Sequence, residues 1–321
     1  PGTLQRRGVR KCNCHHFCAI AISFCPRLHE GYVETQKGEN VMIEGYKARV
    51  RFVRVTLLIL TLLLSALFLF PYVFLALSSF KPAQEVITIP PTFFPKTFSI
   101  ENYQEMYNYI NVEKSLLNSF VSAFGSTAIA VLLGALSAFA LVRANSKLSA
   151  ILLAMVFFLK MIPLSAIAVP IYRIITSVGL YDTRIALVIV LAATNMPLVI
   201  WIMIGFFQSV PVSLDEAACV DGASSLATFF RVILPVSVPG IATAGILTLF
   251  LSWNDFLLSL MLTSTNAKTF TVSLSEFLLG YQINLGPMTA ASFLFSFPII
   301  ILAIFAQKYI IQGLTAGSLK E

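Results

Sequence analysis

The chain has 321 residues, of which 57% are hydrophobic and only 12% charged. A soluble domain sits nearer a quarter charged, so the solvent for most of this chain is lipid rather than water. The net charge of +7 suggests a nucleic-acid binder until its position is read. Six basic residues precede Met42, and Lys47, Arg49, Arg51 and Arg54 stand directly ahead of the first long apolar run, which is a positive-inside signal.

Residues 1–41 differ in character from the rest. They hold four of the five cysteines (Cys12, Cys14, Cys18, Cys25) and all three histidines (His15, His16, His29). Cys-x-Cys beside histidine offers soft ligands for zinc, but the paired Cys-x-x-Cys knuckles of a structural site are missing. The abrupt change of composition and the methionine at 42 favour an extension upstream of the natural start, with no metal. The apolar stretch at 17–24 is too short, and its flank too rich in cysteine and histidine, for a secretory signal. From Met42 on, Cys219 is the only cysteine, so disulfides have no part in the body of the chain.

Charge-poor runs of span length recur six times, at Val53–Leu77, Leu116–Val142, Leu148–Ile171, Ile185–Phe207, Pro239–Leu262 and Thr289–Ile311. Each exceeds the ~20 residues a helix needs to cross a bilayer. Alternating strand patterning is absent, so the expected class is all-α integral membrane with six spans, and a β-barrel is rejected. The basic cluster at 47–54 puts the N-terminus in the cytoplasm, and six crossings return the C-terminus there. Arg143 and Lys147 then fall inside, whereas Lys81, Lys96, Lys114, Arg173, Arg184 and Lys268 fall outside.

Between the first two spans, residues 78–115 form the longest outer loop. Its prolines fix extended segments, and Ser99 followed by Glu101–Tyr107 reads as a short capped helix. The second span opens on Asn118-Ser119 and places Ala130, Gly134 and Ala138 on one stripe for close helix packing. In the third, Lys160 lies about ten residues deep and must face protein or water. It could line a pathway, pair with Asp255, or take a carbonyl freed by a bend at Pro163 and Pro170. Gly179–Thr183 is a tight outer turn. The fourth span carries Asn195, Pro197 and Trp201, tolerated at mid-membrane where a helix lines a cavity.

A polar island follows at about 211–235. Ser213-Leu214-Asp215-Glu216 fits a capping box, and Asp215 and Glu216 complement the helix dipole. Ala217 and Ala218 offer a small flat face. Gly222, after Asp221, suits a left-handed helix end, and a second short helix with Phe229 and Ile233 closes at Pro235. In the fifth span, Trp253-Asn254-Asp255 suits a sugar: amide and carboxylate bond hydroxyls, and an indole face stacks on a ring. Residues 311–320 form a glycine-bearing tail.

The island resembles the coupling loop of ABC-importer permease subunits through Glu216-Ala217-Ala218, Asp221-Gly222, Ala223, the aromatic Phe229 and Leu234-Pro235. Residues 78–115, Trp253–Phe256 and the Gly313–Gly317 tail resemble the corresponding parts of carbohydrate permeases, specifically the maltose-type second subunit. The resemblance runs from Arg54 to Gly317. It implies a permease with no catalytic site of its own, in a prokaryotic plasma membrane. It also implies a second permease, two cytoplasmic ATPases that bind ATP and magnesium, an extracytoplasmic solute-binding protein and a sugar or oligosaccharide such as maltose or trehalose. Docking would involve Ser213, Glu216, Ala217, Ala218, Asp221, Gly222, Ala223, Phe229 and Pro235. The pathway candidates are Lys160, Asn195, Trp253, Asn254 and Asp255. No Gly-x-x-x-x-Gly-Lys-Ser/Thr loop occurs, so ATP chemistry falls to partners. The rival readings are a permease for another small solute and an ion-coupled secondary transporter using Lys160 and Asp255. The latter predicts an internal repeat that the sequence does not show clearly.

Overall fold

The computed structural model describes residues 26–144, 146–279 and 284–316, with side chains described over 52–144, 146–278 and 284–307. Every regular element among the described residues is helical. The histidines and cysteines of the extension lie outside the described side chains. The chain divides into two units, residues 1–72 and 73–321. The described part of the first unit is helix: α1 (Pro26–Ser79) starts inside the extension and continues past Tyr72. Its stretch Phe52–Ser79 has a mean hydropathy of 2.5.

The second unit holds α2 (Ala83–Val86), α3 (Glu101–Tyr109), α4 (Val112–Ala144), α5 (Lys147–Met161), α6 (Leu164–Ser177) and α7 (Arg184–Ser209). Then come α8 (Ser213–Val220), α9 (Ser225–Thr228), a π-turn at Phe229–Ile233, α10 (Leu234–Val236), α11 (Val238–Trp253), α12 (Leu257–Leu262), α13 (Phe270–Leu279) and α14 (Leu285–Ala316). The expected helix after Ser99 is α3, although Ile100 rather than Ser99 occupies its N-cap. The Ser99 hydroxyl instead accepts the Glu101 N–H at 3.1 Å.

Four described helices are long and apolar enough to cross a membrane, and the number reaches six if each of two bent pairs is one span. The expected third span is such a pair: α5 and α6 meet at 97°. Pro163 supplies no N–H and pushes Ile162 to extended backbone (φ −69°, ψ 125°), which ends α5. Pro170, expected to bend the same run, sits inside α6 without ending it. The expected span Pro239–Leu262 is not one helix either. It stops at Trp253 and restarts at Leu257, and side chains bond to the backbone on both sides of the break. The Asn254 amide donates to the Phe250 carbonyl at 2.9 Å, and Asp255 Oδ2 accepts both the N–H and the hydroxyl of Ser259 at 2.9 Å.

The core of the second unit lies where α4, α7 and α11 pack. Ala130 and Ala138 on α4, Val199, Met203 and Phe207 on α7, and Ala244 on α11 are buried in one cluster. The small-residue stripe has the expected packing role. A Cβ on Gly134 would come within 2.8 Å of Val199 Cγ1, so only glycine allows this approach of α4 to α7.

Candidate functional site

The polar island folds as a compact knuckle. Ser213 does not cap α8, contrary to the expected capping box. Val212 already has helical backbone (φ −64°, ψ −25°), and the Asp215 and Glu216 N–H groups donate to its carbonyl at 2.9 and 3.1 Å. Pro211, with its φ fixed by the ring, turns the chain early and leaves no orphan amide for the hydroxyl. The other end follows the sequence. Gly222 has φ +79°, its N–H donates to Cys219 at 3.0 Å, and the Ala223 N–H donates to Ala218 at 2.9 Å. This pair of bonds is the Schellman closure that a left-handed residue permits. Ser224 then caps α9 by accepting the Ala227 N–H.

The knuckle has an outward and an inward side. Ser213, Glu216, Ala217, Val220, Asp221, Gly222, Leu226 and Pro235 are exposed. Val220 is 88% and Leu226 63% accessible, so this side carries apolar area that the chain itself does not cover. Ala218 is buried, so the flat face expected of both alanines belongs to Ala217 alone; Ala223 is half-buried. Phe229 is fully buried, with ring centroids 5.3 Å from Phe139 and 6.3 Å from Phe207. It fixes the knuckle to α4 and α7 from within. Pro235 does not close the element: α10 passes through it to Val236. Lacking an N–H, Pro235 cannot bond the carbonyl four residues back, and the preceding turn widens so that the Leu234 N–H reaches Phe229.

The five expected pathway residues do not form one cluster. Asn195 is buried and donates to the Ser252 hydroxyl at 3.1 Å, which also accepts from Ser126 at 3.0 Å. This ties α7, α11 and α4 together. Trp253 is 2% accessible. Its ring stacks on Phe295 with centroids 5.0 Å apart, and Phe120 meets it edge-on at 4.9 Å. The indole face expected to meet a sugar is therefore occupied by the chain's own rings. Asn254 is exposed and Asp255 half-buried at the α11–α12 break. Lys160 is exposed on the last turn of α5 and donates to the Thr194 carbonyl at 3.2 Å, within a turn of Pro197 inside α7. Among the described residues it makes no ion pair with Asp255.

Residues 130–316, which include the knuckle, match the family model described as the binding-protein-dependent transport system inner membrane component. The chain belongs to that family. It is an integral component of a prokaryotic cell membrane and a permease, a transporter part rather than an enzyme. The sulfoquinovosyl glycerol transport system permease protein of Agrobacterium fabrum is 32% identical over 253 residues, covering 78% of this chain and 89% of that one. The trehalose/maltose transport system permease protein of Thermococcus litoralis is 31% identical over 271 residues, covering 83% and 97%. In fold, the permease is similar to a chain in the crystal structure of a bacterial ABC transporter involved in the import of the acidic polysaccharide alginate. The TM-score is 0.68 at 20% identity, covering 81% of this chain and 96% of that one.

Two features of the permease escape sequence reasoning. The first is Arg143, on the last turn of α4, whose Nε lies 2.7 Å from Asp215 Oδ2 with both side chains about four-fifths buried. The contact is off the line of a hydrogen bond, so it acts as charge against charge. Arg143 also donates to the Val210 carbonyl at 3.4 Å. The second is Asp182, in the turn after α6. Its carboxylate accepts the backbone N–H groups of Ser264, Thr265, Asn266 and Ala267 at 2.9–3.2 Å. Partial burial opposes the charge, but these four donors outweigh it and hold the carboxyl well below the usual range. A basic residue at a helix end and an aspartate after Gly-Leu-Tyr were visible signals, but nothing local named their partners.

Proposed function

We propose that the permease is one of two membrane subunits of an ATP-driven importer for a sugar or oligosaccharide of the maltose or trehalose kind. The observation that carries this reading is the outward side of the knuckle. Glu216, Ala217, Val220, Asp221 and Leu226 are held rigidly by the Schellman closure and the buried Phe229, with apolar side chains uncovered. A cytoplasmic ATPase bound there would gain the apolar burial that the chain itself does not provide. The absence of a phosphate-binding loop in the sequence supports ATP and magnesium being bound by two such partners.

In this reading α5–α6 is one span and the run that begins with α11 is another, giving six crossings with both termini and the knuckle in the cytoplasm. The basic residues at 47–54 support that orientation. A solute-binding protein delivers the sugar to the opposite side, and a second permease completes the pathway. Asn254 and Lys160 line it, Asp255 shapes the helix break, and Asn195 and Trp253 support it from behind. The names of the relatives above favour a sugar as cargo. The test is uptake of labelled trehalose and maltose into vesicles carrying the full complex. Uptake should require internal ATP and the binding protein, and persist when proton and sodium gradients are collapsed. Uptake that stops with the gradients would replace this reading with ion coupling.

A further inference from the structure

Helix α4 is held at both ends by polar contacts to segments distant in sequence. At the knuckle end, Arg143 meets Asp215 of α8 at 2.7 Å and the Val210 carbonyl at 3.4 Å. Phe139, one turn earlier, packs on Phe229. At the far end Asn118 is fully buried. Its amide donates to the carbonyls of Asn266 at 3.0 Å and Lys268 at 2.8 Å, and its Oδ1 accepts from Arg184, the first residue of α7, at 2.6 Å. Ser119 beside it accepts the Phe270 N–H at 2.9 Å. The connection from 264 to 269 has no regular structure of its own, so its position is set by these bonds and by Asp182.

Between the two ends α4 is continuous from Val112 to Ala144, with no proline inside. The neighbouring run is different: α5 and α6 bend by 97°. At 1.5 Å per residue, Asn118 and Arg143 stand about 38 Å apart on one uninterrupted helix. Its small-residue face is locked against α7 at Gly134, and close-packed interiors pass displacement on with little compression.

We propose that α4 is the rod that carries movement of the knuckle to the connection at 264–269, with Arg143 and Asn118 as positioning residues at its two ends. Displacement of α8 by a partner reaches α4 through a buried charge pair and a ring contact, and leaves it through the Asn118 amide. This rests on the importer reading. In that reading the connection lies on the side where the binding protein docks, so the rod couples docking outside to ATPase closure inside.

The experiment measures ATP hydrolysis by the reconstituted complex with and without sugar-loaded binding protein, for Arg143→Gln, Asn118→Ala and the double variant. A parent complex with no stimulation removes the importer reading, and the rod with it. With a stimulated parent, each single variant is expected to retain its ATPase on purification and to lose roughly three- to tenfold of the stimulation. Breaking either joint disconnects the rod and leaves only stimulation that bypasses it, so the double variant should lose no more than the worse single. Distant independent sites add, so a loss in the double equal to the product of the singles overturns the proposal, as does undiminished stimulation in either single. The exchanged pair Arg143→Asp with Asp215→Arg covers the chance that Arg143→Gln fails to assemble. Recovery of stimulation by the exchange supports the rod, and failure to recover overturns it.

Discussion

Gly222 is the residue at which conformation and docking can be separated. Its φ of +79° lies in the left-handed region, and a Cβ added there meets nothing within 4 Å. Inside this chain the penalty is backbone strain, about 1–2 kcal/mol for an ordinary residue and less for aspartate or asparagine, whose short polar chains tolerate the region, with a small electrostatic cost for a carboxylate at a helix C-terminus beside Asp221. Gly222→Asp should therefore insert and purify with thermal stability close to the parent. Any larger effect must come from a surface that approaches the knuckle from outside. Co-purified ATPase should fall about tenfold, a difference of 1.4 kcal/mol in binding. A variant that keeps its full complement of ATPase and full ATP-coupled uptake would remove the docking role from Gly222.

At the scale of elements, apolar run length and proline foretell much of the helical layout, and tertiary partners decide the rest. Proline at 163 announces the break between α5 and α6, because the missing N–H and the constraint on Ile162 are local chemistry. The break between α11 and α12 has no such mark. Trp253-Asn254-Asp255-Phe256 sits within an apolar run, and only the turn from Asp255 to Ser259 shows that a carboxylate has replaced a backbone carbonyl as the acceptor. Trp253 reads as a sugar platform in sequence because its aromatic partner Phe295 comes from α14, far along the chain. The Arg143–Asp215 pair and the bonds to Asp182 are likewise products of helix packing. This bears directly on Asp255. As a cap, asparagine serves as well as aspartate, whereas alanine costs about 1 kcal/mol. Asp255→Asn should keep sugar uptake near the parent level, and Asp255→Ala should lower both thermal stability and uptake. Loss of uptake in Asp255→Asn with stability unchanged would return the carboxylate charge to the pathway.

For the whole molecule, the decisive question is which side of the membrane the knuckle faces, because that orders every other surface. The chain supplies its own probe. Cys219 is exposed on α8, between Ala218, which faces the core, and Val220, which does not. With Cys12, Cys14, Cys18 and Cys25 replaced by serine, it is the only thiol left. On the proposed orientation the basic residues at 47–54 lie in the cytoplasm, and the knuckle, which follows α1, α4, α5–α6 and α7, shares that side only if α5–α6 counts as a single crossing. A membrane-impermeant maleimide should therefore leave Cys219 untouched in intact cells and label it rapidly once the membrane is opened. Adding the ATPase partner should then slow labelling by about tenfold or more, since burial in an interface removes the thiol from water. Fast labelling of intact cells would invert the topology, with the knuckle outside and out of reach of any cytoplasmic ATPase. Labelling after opening that the ATPase does not slow would preserve the topology while moving the docking surface off α8.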